Sequence, residues 1–149
     1  MSTFKLILCP VDFSDTSTHA LETAIELAKQ LNTKIHLLHV YQYPAFSMPE
    51  ADLATPIDIS IQDDYIKRLR KQLDDLCSKY SDSGIAVDST LAEGVPYVEI
   101  VQAAKDINAD LIVLGTHGRT GLSHMLLGSV AERVVRSSVV PVLSVPDKS

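Results

Sequence analysis

The chain has no tryptophan, only two cysteines and no apolar run near the length of a bilayer crossing, and each shortage removes a class of protein. Cys9 and Cys77 are too few and too far apart for a disulfide framework or a CxxC metal site, which leaves reduced thiols in a cytoplasmic protein as the expectation. The opening apolar run, 6–11, stops at Asp12 before a signal-peptide core could form. No stretch approaches the roughly 20 residues of a membrane helix, so no membrane partner is expected. Basic charge is scarce too: 13 Lys and Arg against 19 Asp and Glu give a formal charge of −6. Nucleic-acid binders usually carry a clustered basic face, so no such partner is expected, and any bound phosphate must be met by local donors. At 149 residues the chain suits one domain, 1–149, long enough to bury about 68–70% of its unfolded surface.

What is present is an alternation. Short runs of Leu, Ile and Val are separated by longer stretches of helical period, the pattern of a parallel sheet with helices on both faces. Strands are read at 5–11, 34–40, 86–91, 111–115 and 142–145. The first helix follows Ser14 and Asp15, both able to cap, buries Leu21, Ala24, Ile25, Ala28 and Leu31, and ends near Asn32. The second carries Tyr65, Leu69, Leu73, Leu76 and Tyr80 on one face, with Gly84 beyond its end. Pro96 suits the first turn of a third helix, whose inner stripe is read as Val98, Val101 and Ala104. A fourth runs from about Ser129 to Ser137 with Val130, Ala131, Val134 and Val135 inward, and Pro141 forbids continuation. Residues 41–58, broken by Pro44, Pro49 and Pro56, are read as a loop, either a surface insertion or a lid.

One segment is less generic. The run Leu111–Ile112–Val113–Leu114–Gly115 is followed by Thr116–His117–Gly118–Arg119–Thr120–Gly121 and, six residues on, by Gly128–Ser129 and a helix. A strand ending in glycine lets backbone approach a ligand, and in an open α/β sheet the ligand crevice lies beyond the strands' carboxyl ends. Gly128 and Ser129 open a helix whose first N–H groups lack internal partners and whose dipole favours an anion. Arg119 can add a charge-assisted bond. Spacing alone leaves open a plain flexible loop with Ser129 as an N-cap.

Gly115, two residues, Gly118, nine residues and Gly128–Ser129 together resemble the ATP-binding signature of the universal stress protein family. Ile7–Leu8–Cys9–Pro10–Val11–Asp12–Phe13–Ser14, Leu38–His39–Val40, Gly94–Val95–Pro96 and the closing Val140–Pro141–Val142–Leu143–Ser144–Val145 resemble the same family in order and place. The resemblance implies an α/β, Rossmann-like fold: an open parallel five-stranded sheet of order 3-2-1-4-5. It implies ribose contact at Asp12, beside Pro10 and Val11, and an adenine edge at the Val40 backbone. Leu114, Gly115, His117 and Gly118 would flank ribose and phosphates, and Gly128, Ser129 and Val130 would hold phosphate. The implied ligand is ATP, or AMP or ADP, with Mg²⁺ carried on the nucleotide. Family members also dimerise through the last strand, which suits Val139, Val140, Val142, Leu143 and Val145, an apolar edge with only Pro141 and Pro146 to block pairing.

Other chemistry fits less well. No lysine follows Gly128 and no GxGxxG occupies the first strand–helix turn, so the P-loop and dinucleotide fingerprints are absent. His36 and His39 should face opposite sides of one strand, which argues against a shared metal. His19 and His124 read as surface residues, and the adjacent pair Ser123–His124 lacks the third group of a hydrolase. No catalytic residue is assigned. The function expected is an adenine-nucleotide-dependent switch or sensor in stress response, with loops 116–127 and 41–58 changing order. The alternatives are a slow ATPase or phosphoryl-transfer enzyme using Asp12 or His117, and an interaction module independent of nucleotide.

Overall fold

The computed structural model describes residues 4–42, 56–117 and 127–147, with backbone alone for 56–60. Its elements are β1 (Leu6–Pro10), α1 (Asp15–Leu31), β2 (Lys34–Tyr41), α2 (Pro56–Lys79), β3 (Val87–Glu93), α3 (Pro96–Asp106), β4 (Leu111–Gly115), α4 (Ser129–Ser137) and β5 (Val142–Val145), plus a 3-10 turn at Ser81–Ser83. The strands form one five-stranded sheet of order β3-β2-β1-β4-β5 with every pairing parallel. β1 is central, and burial on both faces explains its lack of alternation: Ile7, Leu8 and Cys9 are all fully buried. Ile7 and Cys9 pack under α1 and α2, whereas Leu8 belongs to a second core under α3 and α4.

Local signals account for most boundaries. Ser14 caps α1 by accepting from the Ser17 N–H, and Asn32 ends it in the left-handed region with φ 55°. In α2, Leu69 and Leu73 are buried, as the periodicity predicts. The loop expected over 41–58 is too long at both ends: β2 runs through Tyr41 and α2 begins at Pro56. Proline is tolerated as a first helical residue because that N–H has no intrahelical partner. Pro44 and Pro49 lie outside the described residues.

Two helix faces differ from expectation. In α3, Val98 is 44% exposed while Ile100 and Ala104 are buried, with Tyr97, Ala103 and Ile107 packed beside them. The stripe spaced at four and three through Ile100 takes the core, and Val98 lies two residues, about 200°, away from it. In α4, Ala131 and Val134 are buried but Val130 and Val135 point outward, because nine residues on one face of a sheet bury only a single i, i+3 row.

His36 and His39 do face opposite ways. His36 bridges Asp88 and Thr90 across the strand pair at 2.6 and 2.7 Å, and His39 is buried. His19 is more enclosed than expected, its side chain 26% exposed, and His124 lies outside the described residues. Both cysteines are free thiols, and burial pushes Cys9 up to about 12. Among the described residues no helix is long and apolar enough to cross a membrane.

Candidate functional site

β1 and β4 are neighbours whose connections leave in opposite directions, and a crevice opens beyond their carboxyl ends, as open α/β sheets require. It holds a cavity of about 320 Å³. It is lined by Pro10, Val11 and Asp12 from the end of β1, Val40 of β2, Leu114, Gly115 and His117 from the end of β4, and Gly128, Ser129 and Val130 from the start of α4. Ten of the twelve residues expected from the sequence are therefore brought together, and Gly118 and Arg119 lie outside the described residues.

The Asp12 corner is built from side chains. Asp12 Oδ1 accepts from the Ser14 N–H at 3.0 Å and the Ser14 hydroxyl at 2.5 Å. The Asp12 N–H donates to Ser17 Oγ at 3.0 Å. Between them Phe13 holds φ 66°, a left-handed conformation costly for a bulky residue and common where a loop is shaped for function. The Phe13 ring packs on His39 at 4.7 Å between centroids, and His39 Nδ1–H donates to the Val11 carbonyl at 2.7 Å. This corner is fixed from both sides.

The opposite corner is built from backbone. A Cβ at Gly128 would lie 2.7 Å from the Thr116 carbonyl oxygen, which already accepts the Gly128 N–H at 2.6 Å. Glycine is thus needed to seat the start of α4 directly on the end of β4. Gly128, not Ser129, is the N-cap, and among the described residues no side chain caps the helix. The first intrahelical bond is from Glu132 N–H to the Gly128 carbonyl, leaving the N–H groups of Ser129, Val130 and Ala131 ahead of it without helical partners. Gly115 has a different reason from the one its sequence position suggests. Its Cβ would strike Thr16 Cγ2 at 2.8 Å, so the glycine serves close packing on α1. His117 is 8% exposed; its Nδ1 shares a hydrogen bond with Thr116 Oγ1 at 3.0 Å, and its buried Nε2 has no partner among the described residues.

Sequence reasoning missed Ser17, Leu38, Pro96, Ile100, Thr116 and Ala131, which also line the cavity. Pro96 and Ile100 bring an apolar wall from the start of α3, and Arg133 of α4 lies 5.1 Å over the Tyr97 ring, tying the two helices together.

The model of the universal stress protein family matches residues 3–146. The chain belongs to that family. Among universal stress proteins, MJ0531 of Methanocaldococcus jannaschii is 34% identical over 142 residues, covering 95% of this chain and 82% of the relative. The solved structure of MJ0577 from the same organism superposes with a TM-score of 0.83 at 31% identity, covering 98% of both chains. A universal stress protein solved in complex with cAMP matches at a TM-score of 0.71 and 25% identity, over 97% of this chain and 98% of that one.

Proposed function

We propose that this universal stress protein binds an adenine nucleotide, ATP or its AMP or ADP relatives, in the cavity between β1 and β4 and acts as a nucleotide-dependent switch or sensor in stress response. The observation that carries the proposal is the pairing of two chemistries within one cavity. An apolar slot of Leu38, Val40, Pro96 and Ile100 suits a flat base, and the uncapped start of α4 suits phosphate. Asp12 lines the same cavity and can meet the sugar that joins the two. The similar universal stress protein solved with cAMP supports the choice of an adenine nucleotide.

In this reading the N–H groups of Ser129 and Val130 hold phosphate, joined by the Ser129 hydroxyl. Gly118 and Arg119 complete the anion seat, and Mg²⁺ rides on the phosphate oxygens of a triphosphate. The working setting is cytoplasmic, and the protein pairs with a second copy through β5 and the residues just before it, where Leu143 is 37% and Val139 74% exposed. Light scattering checks the pairing, and Leu143→Lys should yield monomers.

The deciding experiment is thermal unfolding against ATP, ADP and AMP. At a hundredfold excess over the dissociation constant, stability should rise by about 2.7 kcal/mol. No change with any of the three would overturn the proposal. Phosphate release at saturating ATP separates a switch, which releases little, from an ATPase.

A further inference from the structure

Ser17 was not singled out by its position in the sequence, and its hydroxyl is unusual among those near the start of α1. Thr18 Oγ1 donates back to the Ser14 carbonyl at 3.1 Å and Thr23 Oγ1 to the His19 carbonyl at 3.2 Å, the ordinary outlet for a hydroxyl on a helix. Thr16 Oγ1 donates to the Asp147 carboxylate, and Ser14 Oγ to Asp12. Ser17 has no such outlet. The residue four positions before it is Phe13, turned out of the helix by its left-handed backbone. Ser17 Oγ accepts the Asp12 N–H, but its own proton goes to no acceptor among the described residues, although the residue is only 5% exposed. Buried hydroxyl donors are normally satisfied, and this one stands on the cavity wall.

Asp12 carries the matching vacancy. Its Oδ1 takes both Ser14 donors, and Oδ2 has no donor among the described residues. A spare donor on Ser17 and a spare acceptor on Asp12 therefore sit side by side on one wall, tied together by the 3.0 Å bond between the Asp12 N–H and Ser17 Oγ. A vicinal diol is the complement of such a pair. One hydroxyl donates to the carboxylate, and its neighbour accepts from the serine.

We infer that Ser17 is a specificity-determining residue which, with Asp12, clamps the two hydroxyls of a ribose, so that the site selects ribonucleotides over deoxynucleotides. The inference rests on the nucleotide reading above and adds a residue and a selectivity to it. A deoxy sugar leaves either the buried serine or the carboxylate unpaired, and the cost of that vacancy is what discriminates.

The test is calorimetric titration of the full chain with AMP, 2′-deoxy-AMP and 3′-deoxy-AMP, for wild type, Ser17→Ala and Asp12→Asn. Each deoxy ligand should bind wild type about five- to tenfold more weakly than AMP. In Ser17→Ala one of the two penalties should shrink to within about twofold while the other persists, and Asp12→Asn should reduce the persisting one. Ser17→Ala also removes the acceptor for the Asp12 N–H, so a purely structural role would weaken all three ligands by a common factor. Retention of both penalties in Ser17→Ala would overturn the clamp, as would a wild-type protein that binds AMP and both deoxy forms equally. Failure of wild type to bind AMP at all would instead bring down the nucleotide reading itself. Should Ser17→Ala not fold, Ser17→Cys keeps the size with a weaker donor, and the same penalty should shrink in it; a full penalty there counts against the clamp.

Discussion

The two sides of the cavity solve the same problem with opposite materials. At the end of β1, Asp12 is held by the side chains of Ser14 and Ser17, and the turn is braced through Phe13 and His39. At the end of β4 the start of α4 is seated backbone to backbone on Thr116, with glycine as N-cap and no side-chain cap among the described residues. A carboxylate must be aimed, which takes rotamer-fixing hydrogen bonds. An anion seat needs bare amides, which takes the removal of side chains. The difference teaches which substitutions should hurt aim and which should hurt access.

Breaking the backbone corner should have the largest effect. Gly128→Val drives a branched side chain into the Thr116 carbonyl, 2.7 Å from the first added carbon, and pushes α4 off β4. Overpacking of this kind costs about 1–3 kcal/mol, and the nucleotide-induced rise in melting temperature should vanish. A full thermal shift in this variant would mean that α4 does not receive the phosphate. Gly115→Ala tests how the corners are joined, since its Cβ meets Thr16 at 2.8 Å in the first turn of α1. Denaturant unfolding should show a loss of about 1–2 kcal/mol with weakened binding. Ser14→Ala removes the side-chain cap of α1 and the hydroxyl donor to Asp12 Oδ1, leaving the backbone N–H of residue 14 as the carboxylate's remaining donor. It should cost about 1 kcal/mol of stability and weaken AMP severalfold by loosening the carboxylate, while leaving the contribution of a second phosphate, read as the AMP-to-ADP ratio, unchanged. A changed ratio would show that the corners are not separable.

The sequence carried the backbone corner better than the side-chain one. Strands 111–115 and 142–145 fall at the observed limits, because glycine and proline punctuate them. Gly115, Gly118, Gly128 and Ser129 stand out because glycine spacing survives without knowledge of packing. Ser17 could not be found in this way, since one serine in Asp–Thr–Ser–Thr looks like its neighbours until Phe13 is known to turn left-handed and deny it an acceptor. Pro96 and Ile100 were hidden for a different reason. They reach the cavity only because β3 lies two strands from β1 and α3 crosses back over the sheet, a tertiary fact that local period does not contain. The inward faces of α3 and α4 were misjudged because several aliphatic residues compete for a stripe that admits few. The choice between Val98 and Ile100 is made by the sheet below.

The smallest effect concerns the strand beneath the Asp12 corner. Cys9 is fully buried next to Pro10, and burial pushes its thiol up to about 12, above the ordinary value of 9.0. A thiol whose pKa is raised by folding stabilises the native state fully below its unfolded value and loses that contribution as pH climbs through the folded one. The comparison between wild type and Cys9→Ala should therefore be flat from neutral pH to about 9 and narrow only above it. Alkylation at pH 8 should label Cys77, which is partly exposed, and spare Cys9 until the protein unfolds. Labelling of Cys9 in the folded protein at that pH would mean that β1 opens beneath Asp12, and a corner that opens could not be the rigid partner in the comparison.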